Sequence, residues 1–441
     1  MNEESRKGKW RTEELMRRVV IVGAGFAGLE AAKTIAHGIR RHALDDIQLT
    51  VISDRNYHLF TPLLYQVASG LANPFHVIQP VRNWSGMPLH FIEDRVISVD
   101  IAGRCINTTA GKIDYDLLIL SPGSETNDFG IKGVTERALF LKRWSDGESV
   151  RNRILACLES ASKTKDSGEV RRLLTCAVVG GGSSGVELIG SLSDYLKVLT
   201  KYYPELNIRK NAKIILIEAD SRLVPGLDER ISEVCLKILS RRGIEIRLNT
   251  KVRSVDYRGI VLENGDVIAT GTIVWTAGIR PTKLIADIPE STVEKKNGRI
   301  KVDAHLRLKG HTEVFVIGDS AYLEDENGIP VPATASAAIQ EGRFVGRYIL
   351  QLLCGTAGIE DFTFRYRDRG VMLSLGRFEG IAAFGNGLMV KGFGGWLAWR
   401  FVHLVYISSM RSRLGIIFDW TVAIFYRRIV SRTDYTQLQE I

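Results

Sequence analysis

The residues of this chain best suited to chemistry lie in two glycine-rich turns, about one domain apart. The first turn contains Gly23, Gly25 and Gly28, and the second contains Gly180, Gly182 and Gly185. Each follows a largely apolar run, at residues 19–22 and 175–179, and precedes a helix-forming segment. In this context the first glycine makes a tight strand-to-helix turn and the second lets the backbone approach a pyrophosphate. The third permits close helix–strand packing.

One such turn is weak evidence, because glycine-rich strand–helix turns also arise for packing alone. Two turns of the same type in the same context are much stronger evidence. They predict that one chain holds two dinucleotides, most simply FAD and NAD(P)H.

Acidic residues at the ends of the next strands predict which dinucleotide binds. Glu218 follows the apolar residues 214–217, where a carboxylate accepts from ribose hydroxyls and repels a 2′-phosphate, so NADH is favoured over NADPH. Arg222 lies close enough in sequence to weaken that preference, and an acid that merely marks a strand end is the alternative. After the corresponding first strand, Asp54 is the first candidate for the ribose and Ser53 the second.

Three further glycine positions resemble strand-to-loop turns at a cofactor. Gly123 and Gly278 each follow a strand-like run, and Gly318-Asp319 ends another at residues 314–317. A strand-end aspartate beside a glycine turn can bind the ribitol or pyrophosphate region of a flavin. The alternative for Asp319 is a helix N-cap.

Composition excludes several other classes of protein. The 441 residues are 45% hydrophobic and 25% charged, which suits a globular protein of two or three domains. The five cysteines are widely spaced, which argues against a disulfide framework, a metal site and a dithiol redox centre. The polar N-terminus is no secretory signal. No window of 18 uncharged apolar residues occurs, so a transmembrane helix is not expected.

The elements that must position these residues alternate between strand and helix. Apolar runs and helical periodicity predict strands at residues 47–52 and 214–217, with helices at 29–37, 185–195 and 229–241. This alternation predicts an α/β fold with parallel sheets covered by helices, in two Rossmann-like domains. We expect a discontinuous FAD-binding domain at 18–140 and 295–355, an NADH-binding domain at 141–294, and a C-terminal region at 356–441.

With these residues in place, the chain resembles the type II NADH dehydrogenases, single-subunit flavoproteins that pass electrons from NADH to a membrane quinone. The resemblance covers residues 19–428. Its more family-specific parts are residues 56–68, Ser184-Gly185-Val186-Glu187-Leu188, residues 335–340, Gly376-Arg377 and the aromatic C-terminal tail.

The resemblance implies that FAD lies across the first unit, with active-site lining around Thr61, and that NADH lies on the second. Glu187 matches the family's glutamate beside the flavin and the quinone pocket. A carboxylate just after a dinucleotide glycine lies in a positive helix-terminus field, which we expect to keep it ionised. It could orient the nicotinamide or relay a proton, and the alternative is an exposed helix acid.

The chain departs from the family pattern at two positions. The family motif A-Q-x-A-x-Q corresponds to residues 335–340, where the second glutamine is Gln340 and the first is replaced by Ser336. A serine hydroxyl still hydrogen-bonds but reaches less far. The family's lysine before Gly370 is Arg369, which can stabilise a flavin anion but cannot act as an ordinary acid or base.

The C-terminal tail combines aromatic and basic residues. Residues 391–432 contain seven Lys or Arg against one acid, Asp419, and two apolar runs at 392–410 and 414–426. These runs predict two helices lying in a membrane interface, with Trp and Tyr at headgroup level and arginines on phosphates. The alternative is a helix pair packed on the body or in a homodimer interface. No nucleic-acid motif is present.

These features predict an NADH:quinone oxidoreductase with FAD and NADH as cofactors, at the cytoplasmic face of the cell membrane and without a metal. Glu187, Gln340, Ser336 and Arg369 are the candidate catalytic residues. The alternatives are a related reductase with a soluble or other acceptor, a sulfide:quinone or disulfide reductase, and a flavin-bound sensor. The cysteine spacing argues against the sulfur chemistries.

Overall fold

The computed structural model describes residues 16–84, 87–385, 387–425 and 428–432. The chain divides into two compact units. The first takes its described residues from Met1–His58, Pro80–Glu125 and Arg280–Asp368. The second takes them from Leu59–Gln79, Thr126–Ile279 and Arg369–Ile441.

The strands of the described residues are short, and most belong to one of several sheets. In chain order they are β1 (Arg17–Val22), β2 (Ile47–Ser53), β3 (Tyr57–Leu59), β4 (Ile78–Pro80), β5 (His90–Glu93), β6 (Val96–Asp100), β7 (Cys105–Thr108), β8 (Lys112–Asp114), β9 (Leu117–Leu120), β10 (Ser124–Thr126), β11 (Thr175–Val179), β12 (Lys213–Ile217), β13 (Glu245–Arg247), β14 (Val252–Asp256), β15 (Gly259–Leu262), β16 (Val267–Ala269), β17 (Thr272–Trp275), β18 (Ile279–Pro281), β19 (Lys295–Lys296), β20 (Arg299–Lys301), β21 (Arg307–Leu308), β22 (His311–Val316), β23 (Ala321–Tyr322), β24 (Val371–Ser374), β25 (Gly380–Ala383) and β26 (Met389–Lys391).

The α-helices range from one turn to five. They are α1 (Phe26–His42), α2 (Leu64–Ala68), α3 (Val134–Arg137), α4 (Trp144–Ala161), α5 (Ser167–Leu173), α6 (Ser183–Leu199), α7 (Ile208–Asn211), α8 (Glu229–Arg241), α9 (Lys283–Ala286), α10 (Ala335–Leu353), α11 (Gly392–Tyr406) and α12 (Met410–Phe425).

The first unit is built on a six-stranded sheet in the order β21-β22-β9-β1-β2-β5, parallel except for β21. The central strand β1 is fully buried from Val19 to Val22, as a strand covered on both faces must be. Helices α1 and α10 pack together, and Gly342 and Gly346 of α10 lie against the α1 backbone. Side chains there would separate the two helices.

The second unit contains a four-stranded parallel sheet in the order β13-β12-β11-β17. Helix α6 follows the central strand β11, and Gly190 in its middle lies against the backbone of Leu375. A three-stranded antiparallel sheet, β24-β25-β26, lies directly before helices α11 and α12. Gly380 of β25 lies against the α11 backbone at Trp396, so this helix packs closely on its sheet.

The mixed α/β class and the two parallel sheets that carry the glycine turns confirm the predicted fold class. Helix α8 has the predicted bounds, whereas α1 and α6 begin before the third glycine of their turns and run longer than predicted. The third glycine lies in the first turn of each helix and interrupts the apolar periodicity, so both helices were predicted to start too late. The units also divide the chain differently from the predicted domains, because residues 59–79 belong to the second unit.

Candidate functional site

The first glycine turn has the backbone that a pyrophosphate requires. The amide of Gly23 donates to the Ile52 carbonyl at 2.8 Å, and its φ of 102° favours glycine. A Cβ on Gly23 would collide with the Ser121 backbone, and one on Gly28 with the Gly23 carbonyl. A Cβ on Gly25 would meet nothing within 4 Å, so the middle glycine faces open space.

The second turn repeats this geometry. The Gly180 amide donates to Ile217 at 2.8 Å, and its φ is 107°. A Cβ on Gly185 would collide with the Gly180 carbonyl, while Gly182 has nothing within 4 Å. Gly25 and Gly182 are the N-caps of α1 and α6, and no side chain caps either helix there. Both turns therefore fit a dinucleotide, with helix N-termini to face its phosphates.

One hydroxyl braces each turn. Ser121, the residue after β9, donates to the carbonyls of Val22 and Gly23 at 2.9 and 3.3 Å. Thr276, the residue after β17, donates to Val179 and Gly180 at 3.0 and 3.1 Å. Sequence reasoning missed both residues, although the patterns Ser121-Pro122-Gly123 and Thr276-Ala277-Gly278 carried the signal.

The strand-end acids differ between the units. Glu218 is buried, and its two carboxylate oxygens accept from the amides of Gly181 and Asp220 at 2.5 and 2.9 Å. Arg222 instead donates to the Pro225 carbonyl within its own loop. In the first unit Ser53 ends β2, and Asp54 is exposed with the Arg55 guanidinium at 3.7 Å. Of the two strand-end acids, Glu218 is thus the one whose carboxylate accepts from backbone amides.

Gly123 and Asp319 meet in the first unit. The Gly123 carbonyl accepts from the Ser320 hydroxyl at 3.2 Å, and the Ser124 hydroxyl donates to the Asp319 carboxylate. Asp319 lies inside a single 3₁₀ turn, Gly318–Ser320, whose N-cap is Ile317. The helix N-cap alternative for Asp319 is therefore not what the structure has.

A buried glutamate that sequence reasoning missed holds this turn. Glu341 of α10 accepts a hydrogen bond from the Gly318 amide at 2.5 Å. Burial raises the pKa of Glu341 to about 7, although the Gly318 amide and the Arg299 charge oppose the rise. The carboxylate of Glu341 thus connects α10 to the Gly318-Asp319 turn.

The two candidate quinone-side residues of α10 lie one helical turn apart. The amide of Gln340 donates to the Arg367 carbonyl at 3.0 Å and accepts from the Arg367 amide at 3.1 Å. Its nitrogen also lies 3.4 Å from the Ser336 hydroxyl. Gln340 therefore holds the segment at Arg367 through both ends of its amide.

Glu187 of α6 is buried, not an exposed helix acid. Its carboxylate accepts from the Ser374 amide at the end of β24, at 3.0 Å. Burial raises the pKa of Glu187 to about 8, and the Ser374 amide only partly offsets this. The expectation that the helix field keeps this carboxylate ionised was wrong, because desolvation outweighs the field at this depth.

A hydrogen-bonded chain of buried side chains lies in the same unit as Glu187. The Trp420 indole donates to the Gln66 side-chain oxygen at 2.7 Å, and the Gln66 nitrogen donates to the Tyr65 hydroxyl at 3.0 Å. Burial, with the charge of Glu187, raises the pKa of Tyr65, so its hydroxyl stays protonated. The ring of Trp399 packs against Tyr65 with centroids 5.8 Å apart.

The remaining candidates of the second unit do not join this group. Arg369 is exposed before β24 and donates to the Tyr406 hydroxyl at 3.3 Å, at the opposite end of that strand from Ser374. Thr61 is exposed at the start of a 3₁₀ turn, Thr61–Leu63. Gly278 has a φ of 68° and lies beside the Phe129 ring.

The tail forms the two expected helices, but its tryptophan side chains do not lie at the surface as expected. Trp396, Trp399 and Trp420 are buried, as is Arg400, so the expectation of Trp at headgroup level was wrong for these three. Phenylalanine and aliphatic side chains are exposed instead. They are Phe393, Leu397, Phe401 and Val405 of α11 and Met410, Leu414, Ile417, Phe418, Ile424 and Phe425 of α12. No helix in the described parts of the chain has the length and apolarity to cross a membrane.

The five cysteines are free thiols. Cys105, Cys157, Cys176 and Cys235 are buried, and burial raises the pKa of Cys176 and of Cys235 to about 12. Thiols held protonated in this way are poor nucleophiles, which disfavours a dithiol mechanism.

Comparisons with known proteins agree with this geometry. Residues 17–342 match the pyridine nucleotide-disulphide oxidoreductase family. A type II NADH:quinone oxidoreductase of Mycobacterium tuberculosis is 32% identical, over 93% of this chain and 89% of its own length. A probable NADH dehydrogenase of Dictyostelium discoideum is 31% identical, over 94% and 91%. The structure of NDH2 from Plasmodium falciparum in complex with NADH has a similar fold, with a TM-score of 0.85 and 21% identity over 94% of this chain and 99% of that one.

Proposed function

The chain belongs to the pyridine nucleotide-disulphide oxidoreductase family and, within it, to the type II NADH:quinone oxidoreductases, and from this we propose how its residues carry the reaction. The protein passes electrons from NADH through FAD to a quinone without pumping protons. When bound, FAD supplies hydride acceptance and electron delivery, while the protein supplies binding, orientation and electrostatics. The observation that carries the proposal is the pair of complete glycine turns with open middle glycines.

We assign FAD to the first unit. The turn of Gly23, Gly25 and Gly28 would hold its pyrophosphate, because the backbone N–H groups at the α1 N-terminus carry partial positive charge. Asp54 and Ser53 are the candidates for the ribose. Gly123 and Asp319 are assigned to the ribitol–pyrophosphate region. Thr61, a residue of the second unit, is kept as the active-site candidate that the family resemblance gives.

We assign NADH to the second unit, over Gly180, Gly182 and Gly185. Glu218 is held by the Gly181 and Asp220 amides and is ready to accept from both ribose hydroxyls. Its buried charge repels a 2′-phosphate, which supports NADH over NADPH. Gly278 is assigned to the turn that ends the site.

Glu187 is proposed as the residue that holds a proton for the quinone. Because burial raises its pKa to about 8, the side chain is protonated at neutral pH and carries a proton that it can donate. Arg369 is assigned an electrostatic role, because a guanidinium is not an ordinary acid or base. Gln340 and Ser336 are assigned to the acceptor side, where Gln340 also holds the Arg367 segment in place.

The membrane attachment is proposed to run through α11 and α12. Phe393, Leu397 and Phe401 recur every four residues and are 58%, 52% and 67% exposed, so they form one apolar face of α11. Phe418 and Phe425 of α12 are 65% and 76% exposed. Such faces suit insertion at the acyl–headgroup boundary, and the protein is thus assigned to the membrane surface. Its free thiols favour the cytoplasmic side.

The attachment is tested by flotation of the full-length protein with anionic phosphatidylglycerol-containing vesicles. Phe401→Ser with Phe418→Ser should abolish flotation, whereas Tyr257→Ser, at an equally exposed aromatic residue away from the tail, should not. Undiminished flotation of the double variant contradicts the proposal. If the parent protein does not bind vesicles and the double variant loses a dimer that the parent forms in sedimentation, the exposed apolar face of α11 and α12 is assigned to a homodimer interface instead.

The reaction itself is tested by anaerobic mixing of the purified yellow protein with NADH, followed by a panel of acceptors. NADH should bleach the flavin rapidly, and a short-chain quinone should restore its colour. Absence of bleaching contradicts the donor assignment. Bleaching without reoxidation by any quinone favours a different acceptor. This alternative is tested because Ser336 replaces a glutamine of the family motif.

A further inference from the structure

Arg400 lies in the middle of α11 and is only 9% exposed. The indole ring of Trp396 lies on one side, with its centroid 3.8 Å from the guanidinium carbon, and that of Trp420 lies 4.5 Å from the same atom. The guanidinium is thus held against two aromatic rings, one from each tail helix.

Two of the three nitrogens of this buried guanidinium lack acceptors. Its Nε and Nη1 atoms are buried without a hydrogen-bond partner among the residues that the structure describes. Burial lowers the pKa of Arg400 to about 10, so the group remains charged at neutral pH. Charged donors that are buried and unsatisfied destabilise the folded state, and contact with aromatic faces offsets only part of that cost.

Hydrogen bonds within the protein hold side chains that surround Arg400. The Trp420 indole is anchored by its hydrogen bond to Gln66, and Gln66 in turn donates to Tyr65. Tyr65 also interacts electrostatically with Arg400, whereas the charge of Arg428 opposes that of Arg400. Two donors, the Arg400 guanidinium and the Tyr65 hydroxyl, therefore lie among the same aromatic side chains.

We propose that Arg400 binds a carbonyl oxygen of the quinone head group, with the indoles of Trp396 and Trp420 bordering the ring. The inference rests on the proposed NADH:quinone function and adds a binding residue to it. A flat neutral ring with carbonyl acceptors satisfies the guanidinium without bringing a second desolvated charge. A lipid phosphate fits less well, because its hydrated anion suits an exposed arginine better than one that is nine-tenths buried.

Arg400→Met separates binding from a structural role. Replacing a buried unpaired cation by an apolar side chain of similar length is neutral or stabilising, so Tm should stay level or rise. The flavin-loaded full-length protein in detergent should retain its rate of flavin bleaching by NADH. Its KM for a short-chain benzoquinone should rise about tenfold or more, in keeping with loss of a charged hydrogen bond.

Binding is also measured without turnover, through quenching of tryptophan fluorescence by the same benzoquinone and by menadione. Kd should rise in Arg400→Met, rise less in Arg400→Gln, which keeps an amide donor, and stay unchanged in Arg253→Met at an exposed arginine. Unchanged Kd and KM in Arg400→Met overturn the inference. If that variant does not fold, an unchanged Kd in Arg400→Gln overturns it equally. Failure of NADH to bleach the parent flavin would instead overturn the proposed function.

Discussion

The two glycine turns share one backbone geometry but differ in the acid that ends the next strand. In both, the amide of the first glycine, with a φ of 102° or 107°, donates to the next strand at 2.8 Å. In both, a hydroxyl also donates to the carbonyls of that glycine and of the residue before it. In the second unit Glu218 is buried and held by two amides, whereas Asp54 of the first is exposed. The turn therefore determines that a pyrophosphate can bind, and the strand-end acid determines how strictly the ribose is read.

Each unit also buries a glutamate whose pKa is raised and which accepts from a backbone amide. Glu341 receives the Gly318 amide in the first unit, and Glu187 receives the Ser374 amide in the second. Both have raised pKa values, to about 7 and about 8. In both cases a backbone amide satisfies the buried carboxyl and lowers its pKa, but burial raises the pKa by more.

The largest expected effect separates the two turns by ligand. Gly25→Val should leave the protein with less than about a tenth of its flavin, since the side chain fills the open space above the turn. Gly182→Val should keep the flavin and slow its bleaching by NADH about 100-fold. Visible absorbance and stopped-flow mixing measure both, and each variant is the control for the other. Equal flavin loss in the two would contradict the separate assignments.

The buried glutamates predict two losses of stability as the pH rises, at different pH values. A carboxyl whose pKa is raised on folding stabilises the folded state below its unfolded value of about 4.5, and this stabilisation is lost as the pH rises through the folded value. In the parent protein the free energy of unfolding should fall by about a few kcal/mol as Glu187 ionises, and this fall is complete only above about pH 8; Glu187→Gln should abolish it. The corresponding fall for Glu341 is complete above about pH 7, and Glu341→Gln should abolish that one.

Thermal unfolding of the parent and the two variants between pH 5 and pH 9 measures these differences. Exposed Glu263→Gln serves as the control with the same change of charge. Parallel pH profiles of all four proteins would show that neither buried carboxyl has a raised pKa.

A smaller effect tests the strand-end acids. Glu218→Gln removes the charge that repels a 2′-phosphate, so the ratio of kcat/KM for NADH over NADPH should fall about tenfold. Asp54→Asn makes the same change at the exposed acid and should leave that ratio unaltered. The comparison fails if the two substitutions shift the nucleotide preference equally.

The smallest effect concerns the bracing hydroxyls. Ser121→Ala and Thr276→Val should each lower the free energy of unfolding by about 1 kcal/mol, the usual contribution of a hydrogen bond. Thr276→Ser keeps the hydroxyl and should recover most of the loss. A loss confined to one turn would show that the two braces are not equivalent.

Residues with local roles could be read from the sequence. A glycine with positive φ or without room for a Cβ is needed whatever surrounds it, so the turns at Gly23 and Gly180 and the alternation of strands and helices follow from short segments. The start of α1 was missed by a few residues, because its first turn lacks the apolar period that marks its later turns.

The sequence alone therefore determined two dinucleotide turns, an α/β fold and the family to which the chain belongs. The tertiary structure decided the ionisation of Glu187, the engagement of Gln340 with Arg367 and the inward placement of the tail tryptophans. These depend on partners far away in the chain, as Gln66 and Trp420 are 354 residues apart. Burial and hydrogen-bond partners are properties of such distant pairs, and no local pattern of residue types encodes them.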